Sequence, residues 1–200
     1  MPKISEERRA ERREEIITAA IACFGRSGYQ RTSMTDIIRE SGLSAGAIYG
    51  YFSGKQEIVH AAAQRVMEGR REDLEAKGHD HLLAPAEIVT TIITGLRAVA
   101  PIHMVLQVWS EATVDDRLRT MVDSVIAKMR GTIEDHLGRW ASAQGTDIYE
   151  SPEAWARSTA PLLMSLVAGF MVQRTLIDGF VDEAYLSALP GLLPGADPPL

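Results

Sequence analysis

The sequence predicts an all-α chain in which a small N-terminal three-helix domain joins a larger helical bundle. Three observations predict it. Apolar residues recur at three- and four-residue spacing along most of the 200 residues, with no convincing strand pattern. Helix stops and starts punctuate the chain at Gly42, Ser44, Gly54, Gly78, Pro85, Pro101, Gly145, Ser151-Pro152 and Gly179. Residues 31–55, RTSMTDIIRESGLSAGAIYGYFSGK, read as two short helices joined by a tight turn.

The first helix is predicted over residues 6–26. Ile16, Ala20 and Phe24, with Ile17 and Ile21 beside them, mark its apolar face. Its opening turns interleave Arg8, Arg9, Arg12 and Arg13 with Glu6, Glu7, Glu11, Glu14 and Glu15, the pattern of a solvated face laced with ion pairs. Gly25 and Gly28 are its expected stops, and residues 1–5 are expected to be disordered. Cys23, among Ala19, Ala20 and Phe24, reads as a small core hydrophobe. In the second helix Thr32 or Ser33 is the N-cap, Asp36 puts a carboxylate in the first turn, and Gly42 supplies the left-handed stop. Ser44 caps a third helix running to Phe52, with Ile48 and Phe52 turned inward. Ile16, Phe24, Ile37, Leu43, Ile48 and Phe52 then close a small core. A helix, a glycine turn and a second short helix form a helix-turn-helix, whose second helix enters the DNA major groove.

With the preceding IITAAIACFGRSGYQRTSM, this stretch resembles the DNA-binding domain of the TetR family of transcriptional regulators. Phe24, Gly28-Tyr29, Thr32-Ser33-Met34, Ile37, Ser41-Gly42-Leu43-Ser44, Ile48-Tyr49-Gly50-Tyr51-Phe52 and Lys55 carry the resemblance, over the first quarter of the chain. The family usually has Ala at the positions of Ile38 and Ser41. The resemblance implies a DNA-binding domain over residues 1–55 and a ligand-binding and dimerisation domain over residues 56–200. It implies that Ser44, Ala45 and Gly46 meet base edges and that Tyr49 touches phosphate. Ser33 and Lys55 begin helices, where backbone N–H groups favour phosphate. Thr35 and Tyr51 complete the expected DNA contacts, and Arg31 and Arg39 could add charge. Ala45, Gly46, Ala47 and Gly50 cannot make bidentate base contacts, so affinity should lean on phosphates and DNA shape.

A long helix is expected from Lys55 to about Lys77 with Gly78 as its stop, then helices over 85–100, 103–113 and 115–143. Residues 145–150 read as a loop. Ser151-Pro152-Glu153 is a strong start for the next helix, to about Asp178, with a kink or a break expected at Pro161. Its stretch 160–172 is apolar on nearly every side, so a second copy should cover what the protomer does not. Leu163, Val167, Phe170, Met171 and Arg174 are the expected dimer interface. A last helix covers 182–189, before a Pro/Gly-rich tail. The family places a small-molecule effector in this body, and Met67, His103, Met104, Trp109, Met129 and Met164 are the candidates for its lining. His79-Asp80-His81 lacks further ligands at regular spacing and is a weak metal site, so no metal or cofactor is expected.

The formal net charge is −6, split as +2 over residues 1–55 and −8 over the rest. That asymmetry suits a DNA-reading head on a body that phosphate repels, and the acidic body weakly favours cationic ligands. One cysteine excludes an internal disulfide, the N-terminus has no apolar signal stretch, and the run 160–172 is too short to span a bilayer. A cytoplasmic protein with no membrane partner is expected. HExxH, P-loop, GxSxG and Rossmann patterns are all missing, so the chain is not read as an enzyme. The expected partners are a double-stranded, palindromic DNA operator, a small-molecule effector and a second copy, with repression relieved by the effector. The rivals are activation or ligand-independent regulation within the same family, or a helical protein-interaction adaptor.

Overall fold

Capping chemistry sets the helix boundaries. The structure, a computed structural model, describes residues 6–99, 101–145 and 151–194. Among the described residues there are nine α-helices and no strand: α1 Glu6–Arg31, α2 Met34–Ser41, α3 Ala45–Tyr49, α4 Lys55–Asp80, α5 Pro85–Val99, α6 Ile102–Ala112, α7 Asp116–Ala143, α8 Pro152–Leu176 and α9 Asp182–Leu192. The expected disorder of residues 1–5, the expected loop through 146–150 and the expected tail from residue 195 fall, with residue 100, outside the described residues.

The helices group into two compact units. One holds the residues up to Val66 together with His103–Val122; the other holds Met67–Ile102 and the residues from Asp123 onward. In the first unit Ile16, Phe24, Ile37, Ile48 and Phe52 are buried together, with Leu43 partly covered. A unit of three helices, two of them short, buries little surface by itself. Met104, Val108 and Ala112 of α6 and Leu118 and Met121 of α7 enlarge this core. Polar ties accompany the packing. The Tyr29 backbone N–H donates to Gln107 Oε1 at 2.8 Å, and Gln56 Nε2 donates to Asp115 Oδ2 at 2.8 Å. Asp115 in turn accepts the N–H groups of Arg117 and Leu118 at 2.9 and 3.0 Å, capping α7.

Gly28 breaks α1 with φ 75° and ψ 168°, a conformation essentially confined to glycine. A Cβ there would also lie 2.5 Å from Gln107 Oε1. The backbone conformation therefore demands glycine, and a side chain there would also displace the Gln107 amide. Gly25, the other expected stop, stays helical.

In the second unit α5 packs on α8 and α9. Phe170 meets Tyr185 and Phe180 edge-on, with centroids 5.4 and 5.6 Å apart. The Tyr185 hydroxyl donates to the Leu166 carbonyl at 2.7 Å. Asp182, at the start of α9, pairs with Arg97 at 2.9 Å and Arg174 at 3.0 Å. Trp140 and Trp155 pack with Ala84 and Ala141 in a smaller cluster.

The body differs from the sequence reading in four places. Gly78 does not stop α4, which runs to Asp80; the His136 ring lies so close that a Cβ on Gly78 would be 3.0 Å from its Cε1. Helix α8 is not broken at Pro161, and α9 continues past Leu189 and Pro190 to Leu192. The stretch 160–172 is too short to span a bilayer, but α8 as a whole is long and apolar enough by length and composition, with 33% of its most apolar window buried. The fourth difference concerns the proposed dimer residues. Leu163, Val167, Phe170 and Met171 are buried within the chain at 8% exposure or less, and Arg174 is engaged with Asp182. On α8, Leu162, Val172 and Leu176 are the large apolar side chains that remain exposed. A helix apolar on every side gives no periodicity from which to tell the two faces apart.

Candidate nucleic-acid interface

Helices α2 and α3 are held by local hydrogen bonds that leave their outer faces open. Ser33 caps α2 through a reciprocal capping box: Asp36 N–H donates to Ser33 Oγ at 3.2 Å, and Ser33 N–H donates to Asp36 Oδ2 at 2.9 Å. The Ser33 hydroxyl also donates to that carboxylate at 2.6 Å. The hydrogen bonds from Ser33, and then Arg39 at 2.8 Å, hold the Asp36 carboxyl below the usual carboxylate range. Thr32, the alternative cap, is buried and donates to the Gly28 carbonyl at 2.8 Å. Gly42 closes α2 in the left-handed conformation, φ 67°. Ser44 then caps α3 by accepting from Ala47 N–H at 3.2 Å.

Helix α3 is shorter than the expected 44–52 because the chain turns at Gly50. Ile48 is its one buried residue and anchors it in the core. Ala45, Gly46, Ala47 and Tyr49 are exposed, Tyr49 at 54%. No atom lies within 4 Å of a Cβ built on Gly46. The geometry is that of a recognition helix whose backbone can come close to a base edge. Ser33, Thr35 and Ser44 are exposed with it.

Tyr51 is half-buried, and the Arg9 guanidinium sits 5.9 Å from its ring centroid. Arg13 lies 5.3 Å from the Phe52 ring centroid. The interleaved arginines of α1 thus have a second role beside the ion pairs expected of them, such as Arg12–Glu15 at 2.8 Å. Lys55 departs from its expected outward role. Its Nζ donates to the Tyr29 carbonyl at 2.9 Å and lies 4.3 Å from the Tyr29 ring centroid. Burial lowers its pKa from the ordinary lysine value. The ammonium ties the start of α4 to the end of α1. An open groove of about 350 Å³ beside it is lined by Tyr29, Ser53, Gly54, Lys55, Gln56, Glu57 and Arg117. Arg117 comes from α7, far along the chain, and no local pattern marks it as a neighbour of the motif.

The candidate ligand-lining residues divide between the two units. Met104 is part of the first unit's core, His103 is exposed, and Trp109 is half-buried. In the second unit Met129 is buried, and Met67 and Met164 are half-buried. Cys23 is buried, as expected of a core hydrophobe, and burial raises its thiol pKa.

These features define a helix-turn-helix arrangement. Residues 16–62 match the family model for bacterial regulatory proteins of the tetR family. An uncharacterized HTH-type transcriptional regulator of Bacillus subtilis, YfiR, is 34% identical over 101 residues, 50% of this chain and 49% of that protein. A putative TetR-family transcriptional regulator from Rhodococcus sp. has the same fold at TM-score 0.72 and 20% identity, covering 92% of this chain and 96% of that one. A putative transcriptional regulator from Saccharomonospora viridis, solved in complex with choline, superposes at TM-score 0.69 and 23% identity, covering 92% and 95%. Over residues 16–62 the chain matches the tetR family of bacterial regulatory proteins, and the relatives it resembles are named as transcriptional regulators. It spans about half the length of the curated relatives it matches at a third identity.

Proposed function

We propose that the chain is a homodimeric, cytoplasmic transcriptional repressor that binds a palindromic DNA operator and is released by a small molecule. The observation that carries this reading is the exposed outer face of α3, capped by Ser44, anchored by Ile48 and bare of long polar side chains. Ser33, Thr35, Ser44, Ala45, Gly46, Tyr49 and Tyr51 form the DNA-facing set. Lys55 holds the motif in place and adds positive charge at the groove shared with Arg117. The division into a DNA-binding head and an effector-binding, dimerising body follows the family's plan. The complex of one structural neighbour with choline supports a small-molecule effector.

The exposed stripe on α8 supports the dimer. Leu162, Ser165, Val172 and Leu176, spaced by three, seven and four residues, lie along one side of the helix as a helix–helix seam would, and Leu162 and Leu176 are 63% and 72% exposed. A two-fold pair of heads requires two half-sites in the operator. An apolar stripe that closes on its own copy also supports a soluble protein over a membrane span.

Selection of bound duplexes from a random pool, followed by footprinting, tests this reading. The expected result is a pair of inverted half-sites with strongly salt-dependent affinity. A single asymmetric site would overturn the dimer, and no enriched sequence would overturn specific DNA binding.

A further inference from the structure

Arg70 is the one buried Lys, Arg, Asp or Glu among the described residues, at 6% exposure. It lies on α4 within the second unit. Its Nη2 pairs with Asp73 at 3.0 Å, and that carboxylate is itself 45% exposed. Its Nε and Nη1 have no hydrogen-bond partner among the described residues. Both unpaired nitrogens lie against α5 at Gly95: a Cβ there would sit 2.5 Å from Nη1 and 2.6 Å from Nε. The glycine is therefore what admits the guanidinium between the two helices. One turn earlier on α5, the buried Thr91 hydroxyl accepts from Lys77 Nζ at 3.1 Å. Leu74, Ile88 and Ile92 are buried on the same two helices.

A buried guanidinium with one ion pair and unfilled donors is costly, because it has lost water without gaining acceptors. Packing alone gives no reason to keep a cation there and a glycine to admit it. Acceptor oxygens carrying negative charge would offset that cost. We propose that Arg70 is the anion-binding residue of the effector site, and that the effector is an amphipathic organic acid. Its carboxylate accepts from Nε–H or Nη1–H, the donors that Asp73 leaves free, and its apolar body lies among the buried side chains of α4 and α5. The acidic surface of the body does not set the sign of the ligand; the charge in the interior does. The assignment rests on the reading of the body as an effector-binding domain.

The test uses the full chain without DNA. Binding of octanoate, octanol, octyltrimethylammonium and inorganic phosphate is measured by calorimetry for the natural protein, Arg70→Met and Arg70→Lys. A charge-assisted hydrogen bond in a buried site predicts octanoate binding at least about tenfold tighter than octanol. Arg70→Met should erase that preference, and Arg70→Lys should keep part of it. Melting curves confirm that each variant is folded. Equal binding of octanoate and octanol, preference for the cation, or an octanoate preference that survives in Arg70→Met overturns the proposal. So does phosphate binding without octanoate binding, which would make the site one for a free inorganic anion, and so does the absence of binding by all four probes, which would leave Arg70 a structural strut. DNA affinity, measured separately with and without octanoate, tells the two readings apart. An Arg70-dependent octanoate site on a protein that binds no DNA would remove the regulator and leave the anion site. DNA binding without the site would do the reverse.

Discussion

Helices α3 and α8 are both poor in long polar side chains, yet they are placed by opposite means. In α3 a single buried residue, Ile48, faces the core, and Ala45, Gly46, Ala47 and Tyr49 face solvent. Its orientation is fixed by caps within a few residues of itself. In α8, Ala156, Ala160, Leu163, Val167, Phe170 and Met171 are buried among partners far away in sequence, while Leu162 and Leu176 are exposed. The lesson is that a capped turn carries its orientation in local chemistry, whereas an apolar helix takes its orientation from whatever packs on it.

Adjacent residues of α8 give the strongest test of that contrast. Leu163 is fully buried and Leu162 is 63% exposed. Leu163→Ala should destabilise the chain by about 2–5 kcal/mol in denaturant unfolding at any protein concentration. Leu162→Glu should change the unfolding of the isolated chain by less than about 0.5 kcal/mol, and instead convert dimer to monomer in sedimentation. If Leu162→Glu unfolds the chain and Leu163→Ala does not, the two faces of α8 are exchanged.

Next in size is Gly28→Ala, with an expected cost of about 1–3 kcal/mol from its backbone conformation. The effect should be read as loss of the α1–α6 contact, since Gln107 is the side chain that must yield. Unchanged stability would mean that the break in α1 is not needed.

Gly46→Leu has the opposite signature. The space over Gly46 is open, and leucine favours the helix over glycine by roughly 0.5–1 kcal/mol. Folding should therefore be unharmed while affinity for the selected duplex falls by about tenfold or more, the equivalent of one lost close contact. Retained affinity would show that the backbone of α3 does not approach DNA closely. Ser33→Ala should cost about 1 kcal/mol of stability through the lost cap, and DNA binding should weaken with it.

These cases also show how far the residues alone lead. Ser33, Gly42, Ser44 and the inward placement of Ile37, Ile48 and Phe52 are legible because caps and glycines act over three or four residues. The helical fold and most helix boundaries follow from the same signals. The Gln107–Tyr29 bond and the packing of Met104 beneath the head are not legible, since they join segments some 78 residues apart in one case and leave no periodicity. Lys55 shows a subtler limit. Its position in the motif is readable, but the direction of its ammonium depends on where α1 ends. Gly78 looks like a helix stop in the sequence, and Gly95 carries no signal there; in space one makes room for His136 and the other for Arg70.

The gentlest effect separates the two units by pH. His136, in the second unit, is 4% exposed, and Arg139 Nη2 lies 3.0 Å from its Nδ1. Burial, and then the Arg139 charge, lower its pKa from the ordinary histidine value, with Asp135 and Glu75 opposing. The unfolded chain therefore takes up a proton near the ordinary value of about 6.5 that the folded chain resists. The contribution is fully present above pH 6.5 and is lost as pH falls below it. In the first unit the lowered groups include the capping carboxylates Asp36, Glu57 and Asp115. Their contribution is present above the ordinary carboxylate range and is lost only as pH falls through and below it. Thermal unfolding from pH 7.5 to 5 should thus show a declining midpoint that His136→Gln flattens, while Asp36→Asn lowers stability without flattening it. A slope that persists in His136→Gln would place the titrating group elsewhere. A steeper decline from the capping carboxylates in that window would reverse the order in which the two units respond to acid.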